Sequence, residues 1–412
     1  MNMEKNFLLY IIFVLSVASV VIFGTIYSFR KHGFFDFMSP YIFFPIMYLV
    51  VYGPGVHKSL TISEEYGREA LFYTALPFLF YLIGALTMNL MLLKRDALNL
   101  QNVASPRQIS TNIYKRIVKL TFFIGFLSMI AFWIKAGNIP ALTSDLENSR
   151  VAALAGNGLF YHLSMCLMTS VWVFILYNEK QKRLFAFLAI SCLLLISTGW
   201  RNTSIALIFV ALTIYHYKKP IPFRKLIVLG TIIIFLISIF GLYRIYSSGL
   251  RTYKLMAMME SGNYAGAFFG YLYNYPVVFT DNLMLVINNF NGYSKLLYGK
   301  TFIWNLWLLL PGKDIQPFDF YLKDLLGVGF AGGGLPPTII GDLYINFGIL
   351  GVFLGMIPIG MIWSYLYYIF VNNKNNLIGL SSVIVLYYLS VSIRGGIENI
   401  VLTTTWLLVV IF

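Results

Sequence analysis

Charge is the scarcest ingredient of this chain. Asp, Glu, Lys and Arg supply 11% of its 412 residues, where a soluble domain carries about a quarter, so a water-soluble globular protein of this length is excluded. Cysteine is scarcer still: Cys166 and Cys192 both fall inside apolar runs, and neither a disulfide framework nor a thiolate metal site can be built from them. The histidines (His32, His57, His162 and His216) are scattered, with no pair at metal-ligand spacing. No Walker loop, dinucleotide glycine fingerprint or His-Glu-x-x-His occurs, so no nucleotide-binding or zinc-hydrolase motif is in hand. The glycine-rich "GVGFAGGG" at 327–334 follows no strand and reads as a flexible loop. Neither a metal nor a cofactor is expected.

What is present is apolar surface. Hydrophobic residues make up 59% of the chain and the mean hydropathy is +0.76. Runs of about 20 apolar residues recur, each long enough to cross a hydrocarbon core of roughly 30 Å as a helix. The alternating ten-residue segments of a membrane barrel do not occur. The chain therefore reads as an all-α polytopic membrane protein with about 11 transmembrane helices, within a range of 10–14. The expected spans are 7–27, 37–54, 70–92, 117–134, 159–177, 184–199, 203–217, 225–244, 347–370, 377–392 and 398–412. The first is too long for a signal-peptide core and reads as a retained helix.

Orientation follows from the short basic connections, which are cytoplasmic in membrane proteins. "FRKHG", "EKQKR" and "KKPIPFRK" alternate correctly with 93–116 and 372–376 if all face the cytoplasm. Sorted this way, the net charge of +14 divides into +13 inside and +1 outside. The basic character is then a consequence of topology, and no nucleic-acid surface is implied; inner-leaflet anionic lipids are the natural counterions. The whole of 1–412 reads as one integral membrane domain, with 247–346 as a single large periplasmic loop. That loop is aromatic and nearly neutral, and parts of it are apolar enough to be membrane-embedded.

Five arginines run against the inside bias. Arg150, Arg201, Arg244, Arg251 and Arg394 all fall at or near the outer ends of spans. A snorkelling anchor explains any one of them; five together suit an anionic ligand, because guanidinium binds phosphate oxygens in pairs and stays charged at any pH. A lipid-linked diphosphate at the outer face fits that description. Few candidate bases lie nearby: Asp342 in "PPTIIGDLYINFG", Glu260 in the large loop, and His162. Tyr271, Tyr275, Trp304 and Trp307 of the loop could stack on sugar faces or form an interfacial belt. Glu398 stands four residues after Arg394, where an ion pair would form on one helical face.

Five stretches carry a resemblance: "GNIPALTSDLENSRVAALAGNG" (137–158), "STGWRNTS" (197–204), "LYGKTFIWNLWLLLPGKDIQP" (297–317), "GLPPTIIGDLYINFGILGVFLG" (334–355) and "SIRGGIEN" (392–399). In their order around a large outer loop they resemble the bacterial oligosaccharide repeat-unit polymerases, the O-antigen polymerase or Wzy family. Where similar proteins often read proline-arginine, this chain has Pro311-Gly312-Lys313.

The resemblance implies a GT-C-like architecture in the bacterial inner membrane, with its active site facing the periplasm. It implies transfer of a growing glycan from undecaprenyl diphosphate to the non-reducing end of a new lipid-linked repeat unit, inverting and metal-independent. The implied partners are that oligosaccharide substrate, membrane lipids and a chain-length regulator protein. An O-antigen ligase shares the architecture and donor but carries a histidine in the large loop, and 247–346 holds none. A transporter or flippase for the lipid-linked oligosaccharide would call for inverted repeats and broken helices at mid-membrane.

Overall fold

The computed structural model describes residues 2–98, 111–177, 181–248, 253–290, 296–309, 316–329 and 333–397, and positions 401, 403, 404 and 407. Among these every regular element is helical. In chain order they are α1 (Asn2–His32), α2 (Phe43–Ile62), α3 (Glu64–Leu98), α4 (Thr111–Ala136), α5 (Leu146–Leu154), α6 (Gly158–Ser164), α7 (Cys166–Tyr177) and α8 (Gln181–Ile196). There follow α9 (Arg201–Lys218), α10 (Phe223–Ser248), α11 (Tyr253–Glu260), α12 (Tyr264–Asn289), α13 (Lys300–Trp304), α14 (Phe318–Leu325), α15 (Thr338–Asn372) and α16 (Leu377–Gly395).

Seven helical stretches among the described residues are long and apolar enough to cross a membrane: Asn6–His32, Glu64–Lys94, Ile113–Ala136, Gly158–Tyr177, Phe223–Tyr246, Thr338–Asn372 and Leu377–Gly395. The chain is thus an α-helical polytopic membrane protein, but eleven crossing helices are not established. Each of the four other expected spans differs for its own reason. The segment expected at 37–54 begins later, because Ser39 and Pro40 hold a turn in which the Ser39 N–H donates to Asp36 O (3.2 Å). Helix α2 then runs to Ile62, taking in Pro54, His57 and Lys58. Helix α9 has the length of a span but carries arginine, asparagine, threonine, histidine and lysine along with its apolar residues. The apolar part of α8, Leu184–Ile196, is short. Most of 398–412, with Glu398, lies outside the described residues.

The bundle is centred on α2, α3, α15 and α16. Helices α3 and α15 approach backbone to backbone: a Cβ on Gly360 would stand 2.1 Å from the Tyr81 carbonyl, and one on Gly84 2.0 Å from that of Ile357. Small residues permit this close packing in lipid, where no hydrophobic force drives helices together. Around the contact lie fully buried aromatics, with Phe44 and Tyr81 stacked at 3.7 Å. Their polar tips are satisfied by backbone: Tyr48 Oη donates to Thr74 O (2.7 Å), Tyr52 Oη to Ile393 O (2.9 Å) and Trp363 Nε1 to Met38 O (3.3 Å). Buried phenols and indoles need such acceptors, and here they tie α2 to α3 and α16, and α15 to the α1–α2 connection.

Two features prepare the opposite end from the basic connections. Gly348 breaks α15 with φ +66°, ψ −159°, separating a ten-residue piece, 338–347, from the long helix after it. The expected span beginning at 347 corresponds to that second piece. Helix α12 packs against several others. Tyr271 Oη lies against Gly241 of α10 and Thr280 against Gly55 of α2, while Asn282 Nδ2 donates to Pro336 O (3.3 Å). Helix α12 thus packs against α2, α10 and the start of α15, and it is not one of the seven helical stretches long and apolar enough to cross a membrane. A Lys58–Asp281 ion pair (3.1 Å) and a His57 Nδ1–Tyr273 Oη contact (3.0 Å) pin it to α2.

Candidate anion site

The first residue of α9 is Arg201, and the turn before it decides where its side chain goes. Gly199 takes φ +80°, a left-handed conformation that costs other residues strain, and a Cβ there would stand 3.1 Å from Arg150 Cβ. The turn therefore reverses the chain tightly enough to place Trp200 on Arg150, with the Arg150 guanidinium 3.9 Å from the indole centroid. Arg150 is 4% exposed. The Trp200 Nε1 is buried and has no hydrogen-bond partner.

Arg201 then meets α12. Its Nη1 donates to Tyr271 Oη (2.8 Å) and, at longer range, to Ile237 O (3.4 Å). The guanidinium also lies 4.9 Å over the Tyr275 ring. Tyr271 and Tyr275 are one helical turn apart, so they share a face, and their rings stack at 5.4 Å. Arg394, in the last turn of α16, reaches the same pair from the other side. Its Nη1 donates to Tyr275 Oη (3.1 Å) and its Nη2 to Asn202 Oδ1 (2.8 Å). Arg244, near the end of α10, is close enough to act electrostatically on both tyrosines. The structure thus brings four of the five expected arginines to one end of the bundle, from four different helices. Arg251 lies outside the described residues.

Charge balance is the informative feature. Cations drawn out of water are usually paired, yet the partners of the partly buried Arg201 and Arg394 are phenol, amide and carbonyl oxygens and an aromatic ring. No carboxylate salt-bridges either of them among the described residues. Tyr275 registers the excess. Burial alone would raise its phenol, but Arg201, then Arg394 and Arg244, pull it down to about 7. Guanidinium groups so arranged have the geometry to bind an anion with several oxygens.

The expected bases fall in different places. Asp342 is fully buried, and both its oxygens are engaged: Oδ1 accepts from Thr301 Oγ1 and Asn346 Nδ2, and Oδ2 from the Ile397 N–H (2.8 Å). It braces the corner just after Arg394. Glu260 is exposed at the end of α11. His162 sits in α6 beside Tyr161, ring centroids 5.5 Å apart. Trp304 packs on Tyr321 at 4.8 Å and donates to Gln316 O (3.2 Å), while Trp307 is 41% exposed.

One carboxylate that the sequence did not single out belongs with the cluster. Asp319, in the first turn of α14, is half-buried against Gly334, with its own backbone oxygen accepting from the Leu335 N–H (2.7 Å). Burial pushes its carboxyl up to about 6, against the opposing pull of the Phe320 N–H (3.1 Å) and of Arg150. Its carboxyl thus titrates close to neutrality within the electrostatic reach of Arg150.

With that geometry in place, a family model described as "Putative O-antigen polymerase" matches residues 7–259, more than half of the chain. The chain belongs to the O-antigen polymerase family. The matched region of this O-antigen polymerase contains Arg150, Arg201 and Arg244; α12, Asp319 and Arg394 lie beyond its end. No curated protein and no solved structure matches the chain.

Proposed function

We propose that this O-antigen polymerase family member joins repeat units at the periplasmic face of the inner membrane. In this reading the donor is a growing glycan on undecaprenyl diphosphate and the acceptor is a new lipid-linked repeat unit. The observation that carries it is the pair Arg201 and Arg394, partly buried, bidentate-capable and met by neutral partners among the described residues.

The acceptor's non-reducing-end hydroxyl oxygen attacks the anomeric carbon of the donor. A C–O bond forms there as the bond from that carbon to the diphosphate oxygen breaks, so a single displacement inverts the centre. The bonding electrons leave with the lipid diphosphate, and the hydroxyl proton passes to a base. Arg201 and Arg394, with Arg244 and Arg150 around them, stabilise the charge that grows on the departing oxygens. Such preorganised charge is commonly the largest single catalytic contribution, and we assign to these arginines the role a divalent metal plays in other transferases.

We assign the proton to Asp319. A carboxyl near 6 is mostly ionised at neutral pH yet basic enough to be useful. Asp342 then acts as a positioning residue for the Arg394 corner. The loop aromatics Trp304 and Trp307 supply sugar-stacking surface. The GT-C-like architecture, the inverting outcome and a chain-length regulator belong to the same proposal.

The test is a strain lacking the protein. It should still make and export one repeat unit, so its lipopolysaccharide should show core plus one unit in place of a ladder. Lipid-linked units accumulating on the inner leaflet would assign the protein to flipping. Loss of every capped species, the single-unit form included, would assign it to ligation.

A further inference from the structure

A second site lies at the other end of the bundle, among the basic connections. Between α1, α3 and the α1–α2 connection is a cavity of about 570 Å³, inside the roughly 300–1,000 Å³ range of ligand pockets. Its walls are apolar and open sideways: Phe23, Leu86 and Leu90 line it and are 67%, 52% and 61% exposed. A sideways opening between two spans communicates with hydrocarbon and not with water.

The end of the cavity nearest the connections is different. Lys31 lines it, its ammonium 5.5 Å over the Tyr27 ring, and His32 lines it one residue on. Lys374, from the α15–α16 connection, is close enough to act electrostatically on His32. The acidic group present, Asp36, is already occupied. It is 1% exposed, accepts from the hydroxyls of Tyr217 and Tyr367, and pairs with His32 at 3.6 Å. Asn89, which donates to Tyr41 Oη, completes the polar rim. An apolar throat between two spans with a cationic mouth at its lysine end has the charge and polarity of one occupant.

We propose that this cavity binds an anionic phospholipid, with an acyl chain between α1 and α3 and the phosphate at Lys31. The mouth carries the lysines of the cytoplasmic side in the orientation proposed above, which makes the occupant an inner-leaflet lipid. Basic residues at that level attract anionic headgroups. The site is separate from the arginine cluster and takes no part in the transfer step.

The test uses the full chain purified in mild detergent and probed by native mass spectrometry with phosphatidylglycerol, phosphatidylethanolamine and undecaprenyl phosphate. Wild type should retain one phosphatidylglycerol with about tenfold preference over phosphatidylethanolamine. Lys31→Gln should reduce that preference several-fold, and Leu86→Trp, which fills the throat from an exposed position, should abolish retention. Arg201→Ala should leave retention unchanged, which separates this site from the proposed transfer site. A photoactivatable phosphatidylglycerol should label peptides containing 20–23 and 86–93 in the unaltered protein, so the test stands even if a variant misfolds. Equal retention of the two phospholipids, labelling elsewhere, or displacement of phosphatidylglycerol by undecaprenyl phosphate would each overturn the assignment.

Discussion

The two ends of this bundle both carry positive charge, and they treat it in opposite ways. At the end of the short connections, cations such as Lys219, Arg224 and Lys225 are exposed to solvent. The buried carboxylate there, Asp36, receives hydroxyls from Tyr217 and Tyr367. At the other end arginines are drawn in among tyrosines, and the phenols of Tyr271 and Tyr275 accept from cations. Tyrosine is the same tool in both places. Where it donates to a buried acid, the charge is settled within the protein; where it accepts from arginine, the cation keeps its full charge. On the proposed reading, positive charge at one end orients the chain in the membrane and at the other binds the donor diphosphate.

That contrast can be broken by substitution. The largest effect is expected at Asp319. Asp319→Asn removes the proposed base while keeping its shape, and transfer should fall by about 10²–10³, measured with purified protein and synthetic lipid-linked repeat units. Arg394→Ala comes next. Losing one charge-assisted donor to the departing diphosphate should cost on the order of tenfold to a hundredfold in kcat/KM, with folded yield unchanged.

A smaller effect concerns pH. Asp319 must be ionised to accept a proton, so kcat/KM should fall as pH drops through about 6. Tyr275, drawn down to about 7 by its arginines, would form a phenolate above that pH and cancel part of their charge. Donor capture should then weaken on the alkaline side, giving a bell-shaped profile. Tyr275→Phe should remove the alkaline decline and change the rate at its optimum only a few-fold. At the opposite end, Lys219→Ala should alter transfer by less than about twofold, because an exposed cation of this kind contributes little locally.

Much of this was legible in the sequence, for physical reasons that also mark where it stopped. Arg201 and Arg394 stood out because they oppose the charge bias of membrane topology. Tyr271 and Tyr275 stood out because aromatic residues crowd one stretch, which suggested sugar stacking and gave no sign that both would meet arginines. Asp319 had no such signal: its relevance comes from Gly334 and Arg150, which meet it only in the fold. Asp342 looked like a carboxylate at the mouth of a span, and nothing local disclosed that Thr301, Asn346 and Ile397 would occupy it. Hydropathy likewise read 347–370 as a span but could not place the 26-residue α12, whose position is set by contacts with Gly55, Gly241 and Pro336.

The account stands or falls on Arg201 acting as a diphosphate ligand and not as a membrane anchor. The most direct measurement compares Arg201→Lys and Arg201→Ala with wild type for turnover per correctly folded molecule. Lysine keeps the charge but loses the planar fork, so Arg201→Lys should insert normally and lose most of its turnover. Arg201→Ala should lose about a hundredfold, on the order of 3 kcal/mol. Full turnover in Arg201→Lys, or a loss that merely follows folded yield, would contradict the account.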